Sequence, residues 1–251
     1  MPPLSDALHE APGALGTVRN ATVLLELLAD GPAYQQLTDL AERSGLTVPT
    51  VHRLLRSLVL AGLVEQDPRT SRYGLGPELA RLSHRYLARL PVLGALAPYL
   101  TQVRTTVGAT VHVQLLVGTS IVYVDRVDGP DAGLYRAAHG VHPGLRTAGG
   151  RLLLARGDDE RWKAALETDE ELAAVAERDR DRWSAAGWLR APGPVAGGPD
   201  EVAVPVLDAT GTALGALVAD LPVDADDAAA AATAGALTRA AAAATRTLGH
   251  G

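Results

Sequence analysis

Apolar residues recur every three or four positions between residues 16 and 108, and this spacing predicts a series of short helices. The predicted helices cover residues 17–29, 37–45, 47–62, 77–90 and 91–108. Residues 1–15 lack the pattern, and we expect them to be disordered. Two short runs, Leu63-Val64 and Arg72-Tyr73, flank a turn at residues 67–70 and predict a β-hairpin.

Helix, tight turn, helix and hairpin over residues 16–76 are typical of a winged helix-turn-helix domain. Gly45 ends the first helix of the pair, and Thr47 is a favourable N-cap for the second, with Pro49 in its first turn. The buried face of the second helix is predicted to consist of Val51, Leu54, Leu55 and Leu58. In this motif the second helix enters the major groove, so double-stranded DNA is the predicted partner.

The polar face of this second helix decides between DNA recognition and simple packing. Arginine can bond guanine through two hydrogen bonds or hold a phosphate, and threonine can contact a phosphate or the methyl group of thymine. In the alternative, the motif is a small helical hairpin whose charged side chains are only solvated. The predicted DNA contacts come from the helix and the wing: Thr47, Pro49, Thr50, His52, Arg53, Arg56, Arg69, Arg72 and Tyr73.

The charge of the chain is unevenly distributed. The whole chain carries a formal net charge of −6, which by itself argues against DNA binding. Residues 43–72, however, contain five arginines and two acidic residues, whereas the chain from residue 91 onward contains 14 basic and 20 acidic residues. A basic region on an acidic body favours specific over non-specific DNA binding.

Composition narrows the possible classes of protein. The 251 residues, 47% of them hydrophobic, are enough for two modest domains. Cysteine is absent, which excludes disulfides, thiolate metal sites and a cysteine nucleophile. The N-terminus lacks the basic and apolar regions of a signal peptide, and no apolar run is long enough to span a bilayer. We therefore expect a cytoplasmic protein with no membrane partner.

After residue 108 the pattern changes to alternation with a period of two. The predicted strands cover residues 110–117, 120–127, 134–138, 201–207 and 213–220. The predicted helices cover residues 148–155, 159–166, 170–186 and 226–248. Strand hairpins with intervening and flanking helices indicate an α+β domain with an antiparallel sheet over residues 91–251.

Five segments form an ordered series along the chain: GLTVPTVHRLLRSLVLAGLVEQDP (45–68), YGLGPELARLS (73–83), HPGLRTAGGRLLLA (142–155), RWSAAGW (182–188) and VAVPVLDATGTALGALVAD (202–220). In these segments the chain resembles the isocitrate-lyase-regulator (IclR) family of bacterial transcription regulators over nearly its full length. The resemblance implies a winged helix, a linker helix at 77–90 used in dimerisation, and a C-terminal GAF-like domain that senses a small molecule. We expect a transcriptional repressor.

The resemblance also implies a homodimer, or a homotetramer built from dimers. One side of the linker helix carries apolar residues that could form part of the dimer interface: Leu79, Leu82, Tyr86 and Leu90. Alternatively, these residues pack within their own chain. A two-fold symmetric protein presents two recognition helices about one DNA turn, roughly 34 Å, or a multiple apart. The operator is therefore expected to be a pseudo-palindrome.

By the same resemblance, the effector pocket lies between the sheet and the start of the helix at 148–155. The residues placed to face a ligand are Leu134, Ala148, Gly149, Glu201, Val218 and Asp220. Free N–H groups at a helix N-terminus attract carboxylates, but two acids in the pocket disfavour an anionic ligand unless Arg146 or Arg136 neutralises them. The pattern therefore favours a polyol, sugar or amine over a simple keto-acid or aromatic acid.

Three alternatives remain open. The predicted pocket departs from the pattern usual in the family, with a glycine- and proline-rich stretch at 189–199. The chain could therefore be a DNA-binding regulator without an effector, whose second domain serves only for assembly. An enzyme is more remote, because the chain has no G-x-S-x-G elbow, Walker loop or H-E-x-x-H motif, and we expect no catalytic residues. A metal site could be built from His139, His142, Asp125 and Asp128. Because loop histidines usually bond backbone or water, we expect neither a metal nor a cofactor.

Overall fold

The computed structural model describes residues 15–130, 140–195, 197–222 and 224–248. The described chain divides between Arg89 and Leu90 into two compact units. The elements of the first unit are α1 (Leu15–Asp30), α2 (Leu37–Ser44), α3 (Val48–Leu60), β1 (Val64–Gln66), β2 (Tyr73–Leu75) and α4 (Glu78–Leu87). Of the segment expected to be disordered, residues 1–14 lie outside the described residues, and Leu15 begins α1.

Three helices and the hairpin share one apolar core in the first unit. Leu24 of α1, Leu40 of α2 and Leu55 of α3 are completely buried there. The turn between α2 and α3 is tight because Gly45 takes a left-handed conformation, with φ of 67°, which glycine adopts without steric cost. Thr47 occupies the N-cap position of α3 in an extended conformation, but its side chain bonds the hydroxyl of Thr50 and does not cap the helix.

The wing is a two-stranded antiparallel ribbon in which Glu65 lies opposite Gly74. Its strands lie slightly further along the chain than the sequence predicted. The Asp67 carboxylate organises the turn, because it accepts hydrogen bonds from the Arg69 amide at 2.9 Å and the Thr70 hydroxyl at 2.6 Å. These bonds, the one from Thr70 foremost, hold the pKa of Asp67 below its usual range.

The second unit contains a six-stranded antiparallel sheet with the strand order β5-β4-β3-β8-β7-β6. Its strands are β3 (Val111–Val117), β4 (Ser120–Val127), β5 (Val141–Pro143), β6 (Leu189–Pro192), β7 (Asp200–Leu207) and β8 (Ala213–Asp220). Its helices are α5 (Pro91–Val107), α6 (Ala148–Ala155), α7 (Asp159–Thr168), α8 (Glu170–Ala185) and α9 (Asp227–Leu248). No helix in the part of the chain that the structure describes is long and apolar enough to cross a membrane.

The two outer strands, β5 and β6, were not predicted from the sequence. Each has only three or four residues and ends in proline, so neither shows the alternation on which the prediction relies. The strand predicted at 134–138 lies outside the described residues.

Helix layers lie on this sheet, with α9 packed against α5 and β7. α6 lies over an apolar patch of the sheet that includes Ile121 and Val218. A Cβ atom added to Gly150 would collide with the carbonyl oxygen of Gly144, and one added to Gly149 would collide with the Gln114 side chain. Two glycines therefore let the first turn of α6 lie against its neighbours, which sets the geometry of the site below.

Candidate DNA-binding surface and ligand cavity

The exposed face of α3 is a stripe of polar and charged residues. Pro49, His52, Arg53 and Arg56 follow the spacing of one helical face and are all exposed. The opposite face, with Val51 and the leucines that follow it, is buried in the unit core. Burial of one face therefore fixes which side of α3 is presented to a partner.

The wing adds two further exposed arginines, Arg69 within the turn organised by Asp67 and Arg72 just after it. Ser71 between them has φ of 57°, a left-handed conformation that reverses the chain. Among the described residues, no acidic group pairs with the side chains of the four exposed arginines on helix and wing: Arg53, Arg56, Arg69 and Arg72.

The arginines of the second unit are used differently. Arg146 pairs with Asp169 at 2.6 Å, Arg180 with Asp159 at 2.7 Å, and Arg190 with Asp200 at 2.8 Å. These three arginines are neutralised within the second unit, whereas no acidic group of the described residues pairs with the four arginines of α3 and the wing.

A cavity of about 130 Å³ opens at one end of the six-stranded sheet. Its walls come from β3, β4, β7 and β8, the residues around β5, and the loop after β6. The lining residues are His112, Tyr123, Arg126, Gly140, His142, Gly193, Pro194, Val195, Gly198, Pro199, Glu201 and Asp220. Because a water molecule needs about a tenth of this volume, the cavity can hold a small metabolite.

Glu201 is the most deeply buried acid of the cavity, with 2% of its surface exposed. Its Oε1 accepts a hydrogen bond from the Tyr123 hydroxyl at 2.5 Å, and its Oε2 accepts one from the Ala148 amide at 3.1 Å. Burial raises the pKa of Glu201, while the bonds from Tyr123 and Ala148 oppose that shift. Burial also raises the pKa of Tyr123 and lowers that of His142.

Asp220 lies opposite Glu201 on the neighbouring strand, so both side chains point to the same face of the sheet. The Oδ1 atom of Asp220 bonds Nε2 of His112 at 3.1 Å. His112 is 5% exposed, and its Nδ1 has no hydrogen-bond partner among the described residues. Tyr123 stacks edge-on against both His112 and His142, with ring centres 5.0 and 5.4 Å apart.

Comparison with known proteins identifies both units. Residues 17–68 match the IclR helix-turn-helix domain, and residues 84–178 match the C-terminal domain of the bacterial transcriptional regulator IclR. The Glycerol operon regulatory protein of Streptomyces griseus is 31% identical over 217 residues, which cover 83% of this chain and 85% of that protein. The chain belongs to the IclR family of transcriptional regulators.

Other relatives agree with this assignment. The HTH-type transcriptional regulator XynR of Escherichia coli is 28% identical over 152 residues, and this aligned region spans only 60% of either chain. A solved IclR transcriptional regulator from a Silicibacter species shares 27% identity, with a TM-score of 0.79 over 93% of this chain and 96% of that one. The α+β fold with an N-terminal helix-turn-helix is that of IclR regulators.

Within this IclR chain, one predicted DNA contact needs correction. Tyr73 is 5% exposed and belongs to the core of the first unit, where its backbone bonds Gln35. Tyr73 faces inward because its side chain points to the apolar core of the unit, on the opposite side of the strand from the exposed Arg72. Of the other predicted contacts, Thr50 is half-buried, and Thr47, Pro49, His52, Arg53, Arg56, Arg69 and Arg72 are exposed.

The predicted effector residues have different surroundings. Glu201 and Asp220 line the cavity, Ala148 contributes its amide, and Gly149 is covered by Gln114. Val218 lies in the apolar core under α6 and is not among the residues that line the cavity. Arg146, considered as a cation that could neutralise the two acids, pairs instead with Asp169 and Glu171 and does not line the cavity. Leu134 and Arg136 lie outside the described residues.

Sequence reasoning missed Tyr123 and Arg126 as cavity walls, and considered His142 only as a metal ligand. Tyr123 could have been found from the alternation of β4, which places it on the same face as Ile121. For the metal alternative, no cluster of three or more ligating side chains exists within the described ranges, and His139 is outside them.

We predict that Glu201→Gln removes one pH-dependent contribution to stability. A group whose folded pKa is raised stabilises the fold fully below its unfolded pKa of 4.5, and this stability is lost as pH rises through the folded pKa. The unfolding free energy of the variant, minus that of the parent, should therefore increase with pH above 4.5, by at most about 1.4 kcal/mol per unit.

Urea unfolding at a series of pH values measures this difference. The exposed Glu177→Gln is the matched control and should show no such trend. A parent–variant difference that stays constant from acid to neutral pH would contradict the assignment of the raised pKa to Glu201.

Proposed function

We propose that this IclR-family regulator represses transcription by binding a pseudo-palindromic operator through α3 and the wing, and that a small metabolite in the cavity modulates this binding. The observation that carries the DNA part is the set of four exposed arginines without an acidic partner among the described residues. Phosphates are the anions that such arginines bind most readily, and base edges lie within reach of a helix in the major groove.

Position on the helix suggests a division of work between two of these arginines. Arg53 follows His52 in the first half of α3, the part that meets base edges in helix-turn-helix proteins, whereas Arg56 lies one turn further on. We therefore assign Arg53 to a base and Arg56 to a phosphate. Arg69 and Arg72 in the wing are assigned to phosphates or the minor groove.

Arg53→Ala should relax specificity at one operator position, at a cost of about 1–3 kcal/mol for the preferred base. Arg56→Ala should weaken all sequences similarly and lower the slope of log K against log salt by about one unit. Titration of operator variants by fluorescence anisotropy, at several salt concentrations, measures both effects.

The control is Arg178→Ala, which removes an exposed arginine from α8 of the second unit, where it pairs with Asp179. This variant should bind the operator like the parent. If the Arg53 and Arg56 variants also bind like the parent, α3 is not the helix that contacts the operator.

A symmetric homodimer, or a tetramer built from dimers, is the second part of the proposal. No residue of α4 is buried in the described chain, although the helix has a clear apolar side. Leu82 is 45% exposed and Tyr86 57% exposed. Large apolar side chains in one row on a helix are commonly covered by a partner, and a second copy would place two α3 helices on one operator.

Replacing both Leu82 and Tyr86 with Glu should dissociate the dimer, because each charge would be buried without a partner. Operator affinity should fall by about tenfold or more although α3 is unchanged. Analytical ultracentrifugation measures the dissociation, and circular dichroism checks the fold. The Arg85→Glu variant, also on α4, is a control for added charge. An unchanged sedimentation profile of the double variant would show that the dimer interface lies elsewhere.

The effector is the third part of the proposal. The cavity holds two acids, a histidine pair and a tyrosine, which suit a polyol, a sugar or an amine better than an acid. The name of the Streptomyces griseus relative connects that protein with a polyol operon. The competing hypothesis is a regulator without an effector, in which the cavity has no physiological ligand.

A thermal-shift panel of polyols, sugars and amines tests this. A ligand that raises the melting temperature of the parent should raise that of Asp220→Ala much less, because this variant loses the hydrogen-bond acceptor opposite Glu201. The DNA affinity of the variant without ligand should stay nearly unchanged. The exposed Asp224→Ala is the matched control. To release operator, the ligand must prefer the non-binding state by several kcal/mol. If no compound of the panel changes the melting temperature of the parent, the result favours the hypothesis of a regulator without an effector.

A further inference from the structure

Two side chains of the same chain occupy the N-terminus of α6: Thr147 at the N-cap position, and Glu201 from strand β7. The amides of a first helical turn have no partner within the helix and attract anions. Here the Ala148 amide donates to Glu201 Oε2 at 3.1 Å, and the Gly150 amide donates to the Thr147 hydroxyl at 2.9 Å. The Gln114 side chain lies directly against Gly149.

The arrangement around Glu201 is that of a bound carboxylate. One oxygen accepts from a helix amide and the other from the Tyr123 hydroxyl, and the group is almost completely buried. Gln114 adds a longer contact of 3.4 Å from its amide nitrogen. We propose that the Glu201 carboxyl group takes the place of a ligand carboxylate at the start of α6 and thereby closes this cavity to acidic metabolites.

The remaining polar groups of the cavity support this assignment. Asp220 uses only one of its oxygens, for His112, and the buried Nδ1 of His112 has no partner among the described residues. The second oxygen of Asp220 can accept a hydrogen bond, and Nδ1 of His112 can donate or accept one. Together these two groups suit neighbouring hydroxyls of a neutral ligand. Arg126 is the cation on this wall, but it already donates to Asp128 at 2.7 Å. A ligand carboxylate would thus meet two acids, and the Ala148 and Gly150 amides of α6 already have acceptors within the chain.

The inference rests on the proposed function only in treating the cavity as the effector site, since the occupancy of the helix end itself requires no effector. It can therefore be tested on the free protein without DNA. Glu201→Ala removes the carboxyl group and leaves the Ala148 amide and the Tyr123 hydroxyl exposed to the space it filled. Exogenous acetate has the chemistry and the size to occupy that space.

The experiment compares thermal unfolding of parent, Glu201→Ala and Glu201→Gln in sodium acetate and in sodium chloride of equal ionic strength and pH. Acetate should stabilise only the alanine variant, with an affinity about tenfold or more above that for the parent, since a hydrogen bond to a charged group is worth at least this factor. Glutamine fills the same space, so Glu201→Gln should respond to acetate and chloride alike. Adding Tyr123→Phe to the alanine variant should weaken the acetate effect.

The Ala148 amide signal in a nitrogen–proton correlation spectrum reports the location of the acetate, and it should move on acetate addition in the alanine variant alone. If Glu201→Ala does not fold in chloride, the yield of refolding in acetate against chloride gives the same readout. Equal responses of the alanine variant to the two salts, or an acetate effect of the same size in all three proteins, would overturn the inference. Either result leaves operator binding, measured separately, untouched.

Discussion

The close approach of the first turn of α6 to the sheet is the constraint on which the second unit depends. Gly149 and Gly150 have no side chains, so α6 lies directly on Gln114 and on the carbonyl of Gly144. At this distance the Ala148 amide reaches a carboxyl group on β7, 53 residues further along the chain. A larger residue at either glycine would lift the helix and separate that amide from Glu201. The bond between the Ala148 amide and Glu201, which closes one side of the cavity, follows from this contact.

Much of the fold could be predicted because its signals are local. Gly45 and Gly108 end helices in left-handed conformations, and the hairpin at Gly118 joins strands with clear alternation. The outer strands β5 and β6 could not be predicted in this way, because neighbouring strands, and not their own side-chain pattern, hold them in place.

The site was only partly predictable for a related reason. Glu201 and Asp220 belong to strands joined by a short turn, so their position opposite each other could be expected from the hairpin. The contact between Tyr123 and Glu201 spans 78 residues and depends on the order of strands across the sheet. The partner of Arg146 was not predictable either, because Arg146 lies in a short 3-10 turn (Gly144–Arg146) that packs against α7 and α8, where it meets Asp169 and not the cavity acids.

The arginines of α3 and the wing have different surroundings from those of the second unit. In the second unit arginines hold helices together through ion pairs and carbonyl contacts; Arg156, for example, bonds the carbonyls of Trp183 and Ala186. In the first unit the arginines on α3 and the wing remain available, while Arg43 is tied to Gln35. The net acidity of the chain therefore does not describe the surface that DNA meets.

Gln35 joins three parts of the first unit. Its backbone pairs with Tyr73 of the wing, its amide nitrogen donates to the carbonyl of Leu27 at 2.8 Å, and its oxygen accepts from Arg43. These bonds tie the wing, α1 and α2 to one another in the free protein. We therefore expect the winged domain to lose little conformational entropy, and to change shape little, when it binds DNA.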